Sequence, residues 1–197
     1  MFGRIRPLTL LVAGGLLSSV VLGAFGTASM VVGYQGREDV RDTLRQENIV
    51  APKDSTIPGQ LVDTGSEARA QADVIRKHQL TSSAGLTYAE MGRFRVVDAN
   101  PAGTNDAALA VKDANGKPLS NPVRESWVTA TALSTSLNTA YFAEQVALFS
   151  IVMGAALLLT GVGFGVLTLG TLVRHKITVA EERAVSAAPA MRPHTVA

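Results

Sequence analysis

Histidine, carboxylate and glycine are the residue types here that could build a reactive site, and their spacing withholds one. The three histidines are His78, His175 and His194. A two-histidine-one-carboxylate iron centre or a histidine-built zinc site needs imidazoles that converge, and His78 has no second histidine at i+4. The other two lie beyond a long apolar run that puts them on the far side of a membrane from His78. Paired carboxylates such as Glu38/Asp39 and Asp113/Glu125 have the chemistry of acid–base partners, but nothing in their spacing brings them to one place. Gly161-x-Gly163-x-Gly165 lies inside a hydrophobic stretch, where helix packing explains it, and no nucleophile elbow, phosphate loop or dinucleotide fingerprint occurs. Cysteine is absent, which removes disulfides, thiolate metal sites and cysteine nucleophiles. The residues therefore assign no catalytic group, no metal and no cofactor.

The elements that would carry any site are set by two uncharged runs. From Pro7 to Gly36, and again from Gln145 to Val173, there is no Asp, Glu, Lys, Arg or His. Each exceeds the roughly 20 apolar residues a helix needs to cross about 30 Å of hydrocarbon. The expected fold is a mainly α membrane protein: a two-helix transmembrane hairpin with a largely helical extracytoplasmic domain. The expected divisions are a cytoplasmic N-terminus (1–7), a first span (8–33), the domain (34–144), a second span (145–173) and a cytoplasmic, disordered tail (174–197).

Charge sets the orientation. The segment from Arg37 to Glu144 holds 12 Lys/Arg against 14 Asp/Glu. The ends carry Arg4, Arg6, Arg174, Lys176, Arg183 and Arg192 against Glu181 and Glu182. Positive charge beside membrane helices is retained on the cytoplasmic side, so both termini are expected in the cytoplasm of a plasma-membrane protein. No basic stripe interleaved with aromatics offers a nucleic-acid surface. A cleaved signal peptide is the rival reading of the first run, with a small-x-small pattern at Ala24-Phe25-Gly26 or Gly26-Thr27-Ala28. That apolar run is nearly twice the roughly 7–15 residues of a signal h-region.

Within the spans, Gly15, Ser19, Gly23 and Thr27 recur every four residues, and Gly161 and Gly165 form a GxxxG pattern with Gly154 seven residues before it. Small residues let helix backbones approach closely in lipid. The two stripes are expected to pair, within a chain or between copies.

In the polar segment, Val40 and Leu44 extend the first helix. Thr64 and Glu67 have the spacing of a capping box opening a helix through about His78, with Ala68, Ala72 and Ile75 on one face. Thr87 and Glu90 repeat that spacing over a short helix, TYAEMGRF. From Val96 to Pro122 turn signals crowd together, and Asn115-Gly116 could close a small β-hairpin or sit in a structureless loop. Asn121-Pro122 reads as the cap and first residue of a helix running into the second span. Trp127, Ala130, Leu137, Tyr141 and Leu148 keep near-heptad spacing along it, with Tyr141 and Phe142 placed as interfacial anchors.

Two blocks carry a resemblance. LVDTGSEARAQADVIRKH with GLTYAEM (61–91), and SWVTATALSTSLNTAYFAEQVALFSIVMG (126–154), together with LRQENIVAPKDS after the first run, resemble a family of small actinobacterial two-pass membrane proteins. Members often carry the name aromatic ring-opening dioxygenase, which these residues do not support because the iron ligands are missing. The resemblance implies topology and kinship, and the 96–122 stretch looks longer than the family's usual connection. The functional expectation is a structural, accessory or assembly partner of a membrane complex, its partners being the lipid bilayer and a membrane protein or a second copy. The alternative is an extracytoplasmic ligand-binding or sensing module for a lipid or wall fragment, with Tyr88, Met91, Phe94 and Trp127 lining an apolar patch.

Overall fold

The computed structural model describes residues 7–187 and is mainly helical. Three α-helices, α1 (Pro7–Glu47), α2 (Gly65–Ser82) and α3 (Pro122–Ala187), are joined by irregular segments, with one 3₁₀ turn at Tyr88–Glu90. The chain forms two compact units, one of residues 7–32 with 150–187 and one of residues 33–149.

The first unit is a pair of antiparallel helical segments from α1 and α3. Both helices are long and apolar enough to cross a membrane, with mean hydropathy of 2.1 and 2.2 in their most apolar windows. Their large apolar side chains are exposed: Leu11 is 73% accessible, Leu159 70% and Leu167 70%. The helix core of a water-soluble protein hides such residues; here they face outward all along both segments.

The second unit is built from the end of α1, a connection, α2, a turn-rich loop and the start of α3. Its core joins Leu44 from α1, Ala51 and Val62 from the connection, Ala68 and Ala72 from α2, and Leu137 from α3. The connection folds back as a loop. Ala51 N–H bonds Gln60 O at 2.9 Å, and Val62 N–H bonds Ile49 O at 2.8 Å, which buries Val62 completely. Asn48 takes a positive φ of 48° where α1 ends, a conformation asparagine tolerates better than most residues.

Each cap expected for α2 and α3 forms. Thr64 and Glu67 satisfy each other's backbone N–H groups in a full capping box, and α2 then runs to Ser82, four residues beyond the expected end. Asn121 Oδ1 accepts from Val123 N–H at 3.1 Å at the start of α3. Around Thr87 the outcome differs. The reciprocal Thr87–Glu90 bonds are present, but they close only the 3₁₀ turn Tyr88–Glu90. Gly92 follows at once, packed on the backbone of Thr104 with no room for a Cβ, and the chain leaves helical geometry there.

The loop from Gly92 to Asn121 contains no strand; four isolated bridges mark the chain among the described residues. Phe94 and Thr104 exchange both backbone bonds at 2.9 Å, and Phe94 is also bridged to Ser120. Asn115-Gly116 does sit in a turn, closed by Gly116 N–H to Asp113 O at 3.0 Å and one bridge, Lys112 to Pro118. That is a turn with a single bridge: the ladder ends because Val111 N–H donates to Arg95 O and Lys117 N–H to Asp113 Oδ1 instead of to the facing backbone. Asp98, Asn100, Asp106 and Asp113 each accept from a backbone N–H two residues on, so side-chain turns organise this stretch.

At the other end, α3 continues through Ala187, where disorder was expected from 174 onward. Ala, Glu and Arg between residues 179 and 187 favour a helix, and the first proline after Pro122 is Pro189. The rest of the expected tail, with Arg192 and His194, and the N-terminal Arg4 and Arg6 lie outside the described residues.

Leu137 is 7% exposed and is the buried member that α3 contributes to this core. Leu137→Ala is expected to cost about 2–5 kcal/mol, measured by denaturant unfolding of the protein in uncharged detergent. Exposed Leu133→Ala, on the same helix and 52% accessible, is expected to stay within about 0.5 kcal/mol of the parent.

Candidate functional site

The strongest concentration of buried charge is at Glu144, the last ionisable residue before the second uncharged run. Its side chain is 4% exposed. Oε1 accepts from Arg37 Nε at 2.9 Å and faces Arg41 Nε at 3.6 Å. Oε2 accepts from Gly65 N–H at 2.7 Å. Arg37 and Arg41 lie one turn apart on α1, Gly65 is the first residue of α2, and Glu144 is on α3, so a single carboxylate fastens three helices. The N-terminus of α2 adds its own partial positive charge. Burial pushes the carboxyl up, but the Arg37 hydrogen bond, the Gly65 N–H and the charges of Arg37 and Arg41 outweigh it and hold it below the usual range.

Gly65 is where this arrangement constrains the sequence most tightly. A Cβ there would lie 2.7 Å from Glu144 Oε2 and 2.9 Å from Tyr141 Cα. Any side chain would push α2 off α3 and break the bond to the carboxylate.

In the first unit, the residues expected to pack helices are found as follows. Gly15 lies against Thr168, and Gly165 against Ser19, whose Oγ would be 2.9 Å from an added Cβ. Gly161 faces the backbone of Ser19 and Gly23 at 2.9 and 3.0 Å from its notional Cβ. A Cβ added to Gly154 would lie 2.6 Å from Gly26 O and 2.7 Å from Met30 Cγ. Two departures follow from helix geometry. A Cβ on Gly23 would point into open space, and Thr27 is exposed with its hydroxyl turned back to Gly23 O at 2.9 Å. Four-residue steps drift around a helix of 3.6 residues per turn by about 40° each, so the 15/19/23/27 stripe touches α3 through the backbone of Gly23 and has left the contact by Thr27, where Gly26 takes it up. On α3 the buried positions Ala147, Gly154, Gly161 and Thr168 recur every seven residues, the spacing of a coiled-coil seam.

The aromatic patch divides. Met91 and Trp127 are core residues, 3% and 5% exposed, and the indole N–H donates to Leu86 O at 3.1 Å. Tyr88 and Phe94 line a cavity of about 280 Å³ with Arg93, Ser120, Arg124 and Val128. A second recess of about 200 Å³ lies between α2 and α3, lined by Asp73, Arg76, Thr131, Ser134, Thr135 and Asn138 among others. The uncharged hydroxyls of α3 are thus partly protein-packed: Ser134 donates to Ala72 O, and Ser126 pairs with buried Gln79 at 2.9 Å.

His78 is tied to structure. Its Nε2 is 2.8 Å from Asp54 Oδ2, which also accepts from Lys77 Nζ at 2.9 Å. The Lys77 and His78 hydrogen bonds pull the Asp54 carboxyl down to about 2. His175 sits in the other unit. Glu38, Asp39, Asp113 and Glu125 take part in no ion pair, and no group of three His, Cys, Asp or Glu side chains is gathered for a metal, among the described residues. The roles of Glu144, Gly65 and Gln79 were not apparent in the sequence, because each depends on partners far along the chain. The only local hint was the placing of Glu144 at the edge of an uncharged run. No protein-family model, curated protein or solved structure matches this chain.

Glu144→Ala is expected to destabilise the protein by about 3–5 kcal/mol, since two guanidinium groups lose their buried partner, with Glu144→Gln less severe. A lowered folded-state pKa gives stability that is present above the unfolded value of about 4.3 and lost as pH falls through the folded value. Parent melting temperature should therefore drop on acidification, with a smaller drop in Glu144→Gln. Gly154→Val should separate α1 and α3 at a cost of about 1–3 kcal/mol, read by unfolding in mixed detergent micelles. Gly14→Ala, whose Cβ meets nothing within 4 Å, should be neutral or better.

Proposed function

We propose that this chain is a two-pass integral membrane protein of the cell envelope that acts as a structural, accessory or assembly partner of a membrane complex, without catalysis. The observation that carries the membrane reading is the outward display of large apolar side chains along α1 and α3, around a seam of small residues. In lipid that display costs nothing, whereas in water it would drive aggregation. Both termini are placed in the cytoplasm and residues 34–144 outside, from the basic residues flanking the runs. The reading includes kinship with the small actinobacterial membrane proteins that the two sequence blocks resemble.

The partner reading draws on α3 in the second unit. From Ser126 to Ala143 this helix carries no charged residue, yet Val128, Thr129, Ala132, Leu133 and Ser136 are exposed. Another protein's helix can cover such a face without stripping water from an ion. The core beneath it gives the face a fixed backbone.

Reporter fusions should show alkaline phosphatase activity at residue 60 and green fluorescence at the C-terminus. A photo-crosslinker at Ala132 or Ser136 in the native membrane should yield discrete adducts, and one at exposed Lys117 should not. Adducts to a second copy identify a homo-oligomer, and adducts to another membrane protein identify the complex. A fluorescent reporter at residue 60 would refute the topology, and absence of adducts at every α3 position would refute the partner role.

A further inference from the structure

We infer that the cavity beside the start of α3 is a binding site for a phosphate group. Arg93 and Arg124 both line it, along with the rings of Tyr88 and Phe94 and the hydroxyl of Ser120. Neither guanidinium has an ion pair or a side-chain hydrogen bond to any described residue, unlike Arg37, Arg41 and Arg45, which face carboxylates. Arg69 and Arg76, also without an ion pair, stack on Tyr141 and Trp127 but do not share a cavity with each other. The Nε of Arg124 is buried with no acceptor. Two guanidinium groups without an ion-paired counter-charge on one cavity make an anion from outside the chain the natural complement.

The aromatic rings fix the geometry of these cations. The Arg124 guanidinium carbon stands 3.8 Å from the centre of the Tyr88 ring, and that of Arg93 is 5.4 Å from the centre of Phe94. Stacking holds a guanidinium by its face, and the terminal N–H groups at its far end can still make planar, two-point contact with an oxyanion. Glu125 also lines the cavity; it is the one carboxylate there, against two guanidinium groups, so the lining stays net positive. The backbone supporting the site is well anchored. Asn121 Nδ2 donates to Gly92 O at 3.1 Å and to Pro101 O at 2.9 Å, which joins the loop carrying Arg93 to the helix carrying Arg124. The site stands apart from the structural role proposed above and can fail without it.

The test is titration of the full chain in uncharged detergent at constant ionic strength, following the Nε–Hε resonances of its arginines by NMR. Inorganic phosphate and short-chain phosphatidic acid serve as separate probes. Saturable binding with a selective shift of the Arg124 resonance is expected, weakened at least tenfold in Arg93→Gln and in Arg124→Gln. Arg93 is exposed, so its variant keeps the test valid if Arg124→Gln loses its fold, which a circular-dichroism melt reports. Arg95→Gln, outside the cavity lining, should bind as the parent does. Tighter binding of phosphate assigns a free phosphate, and tighter binding of the lipid assigns a headgroup. No saturable shift with either probe up to about 10 mM, or equal binding by Arg93→Gln, would overturn the site.

Discussion

A carboxylate removed from water at the point where three helices meet is the constraint on which the second unit rests. Glu144 cannot be left alone there: desolvation disfavours its charge, and only the combined donors of Arg37, Arg41 and the α2 N-terminus reverse the balance. Because the partners come from α1 and α2, satisfying one side chain fixes the register of two other elements against α3. Gly65 is the steric counterpart, since the bond to its N–H exists only where no Cβ intervenes. Apolar contacts among Leu44, Val62, Ala72 and Leu137 supply most of the burial, but they would tolerate sliding that the charged cluster does not.

The first unit follows a different rule. Its large apolar side chains mostly point outward and its contact line is rich in glycine, serine and threonine, so dispersion between closely approaching backbones takes the place of a hydrophobic core. Gly26 against Gly154 is the closest approach of backbone to backbone between these segments. Two residues without side chains meet there, and the backbone carbonyl of each lies where the other's Cβ would be. A helix pair in this style depends on the absence of atoms as much as on their presence.

Much of the framework was readable from local pattern. The two uncharged runs, the Thr64–Glu67 box, the Asn121-Pro122 start and the α2 face of Ala68, Ala72 and Ile75 all rest on residues within a few positions of one another. The small-residue stripe was read with the wrong period: steps of four kept Thr27 and missed Gly26, whereas the contact alternates steps of three and four. The links that give the second unit its shape were illegible for a simpler reason. Arg37 and Glu144 are 107 residues apart, Gly65 and Glu144 79, and Gln79 and Ser126 47. No periodicity within one element reports such pairings. The Thr87–Glu90 box shows the opposite failure, a correct local signal cut short when Gly92 meets Thr104.

The loop anchor at Asn121 carries a chemical consequence for ageing. Spontaneous loss of an asparagine amide proceeds when the following backbone nitrogen attacks the side-chain carbonyl to close a five-membered imide. Asn121 precedes Pro122, which has no N–H to act in this way, so the amide that holds Gly92 and Pro101 is shielded from this decay. Asn115 precedes unhindered Gly116 on an exposed turn and has no such shelter. Time and warmth should therefore scar the tip of this loop while sparing its root.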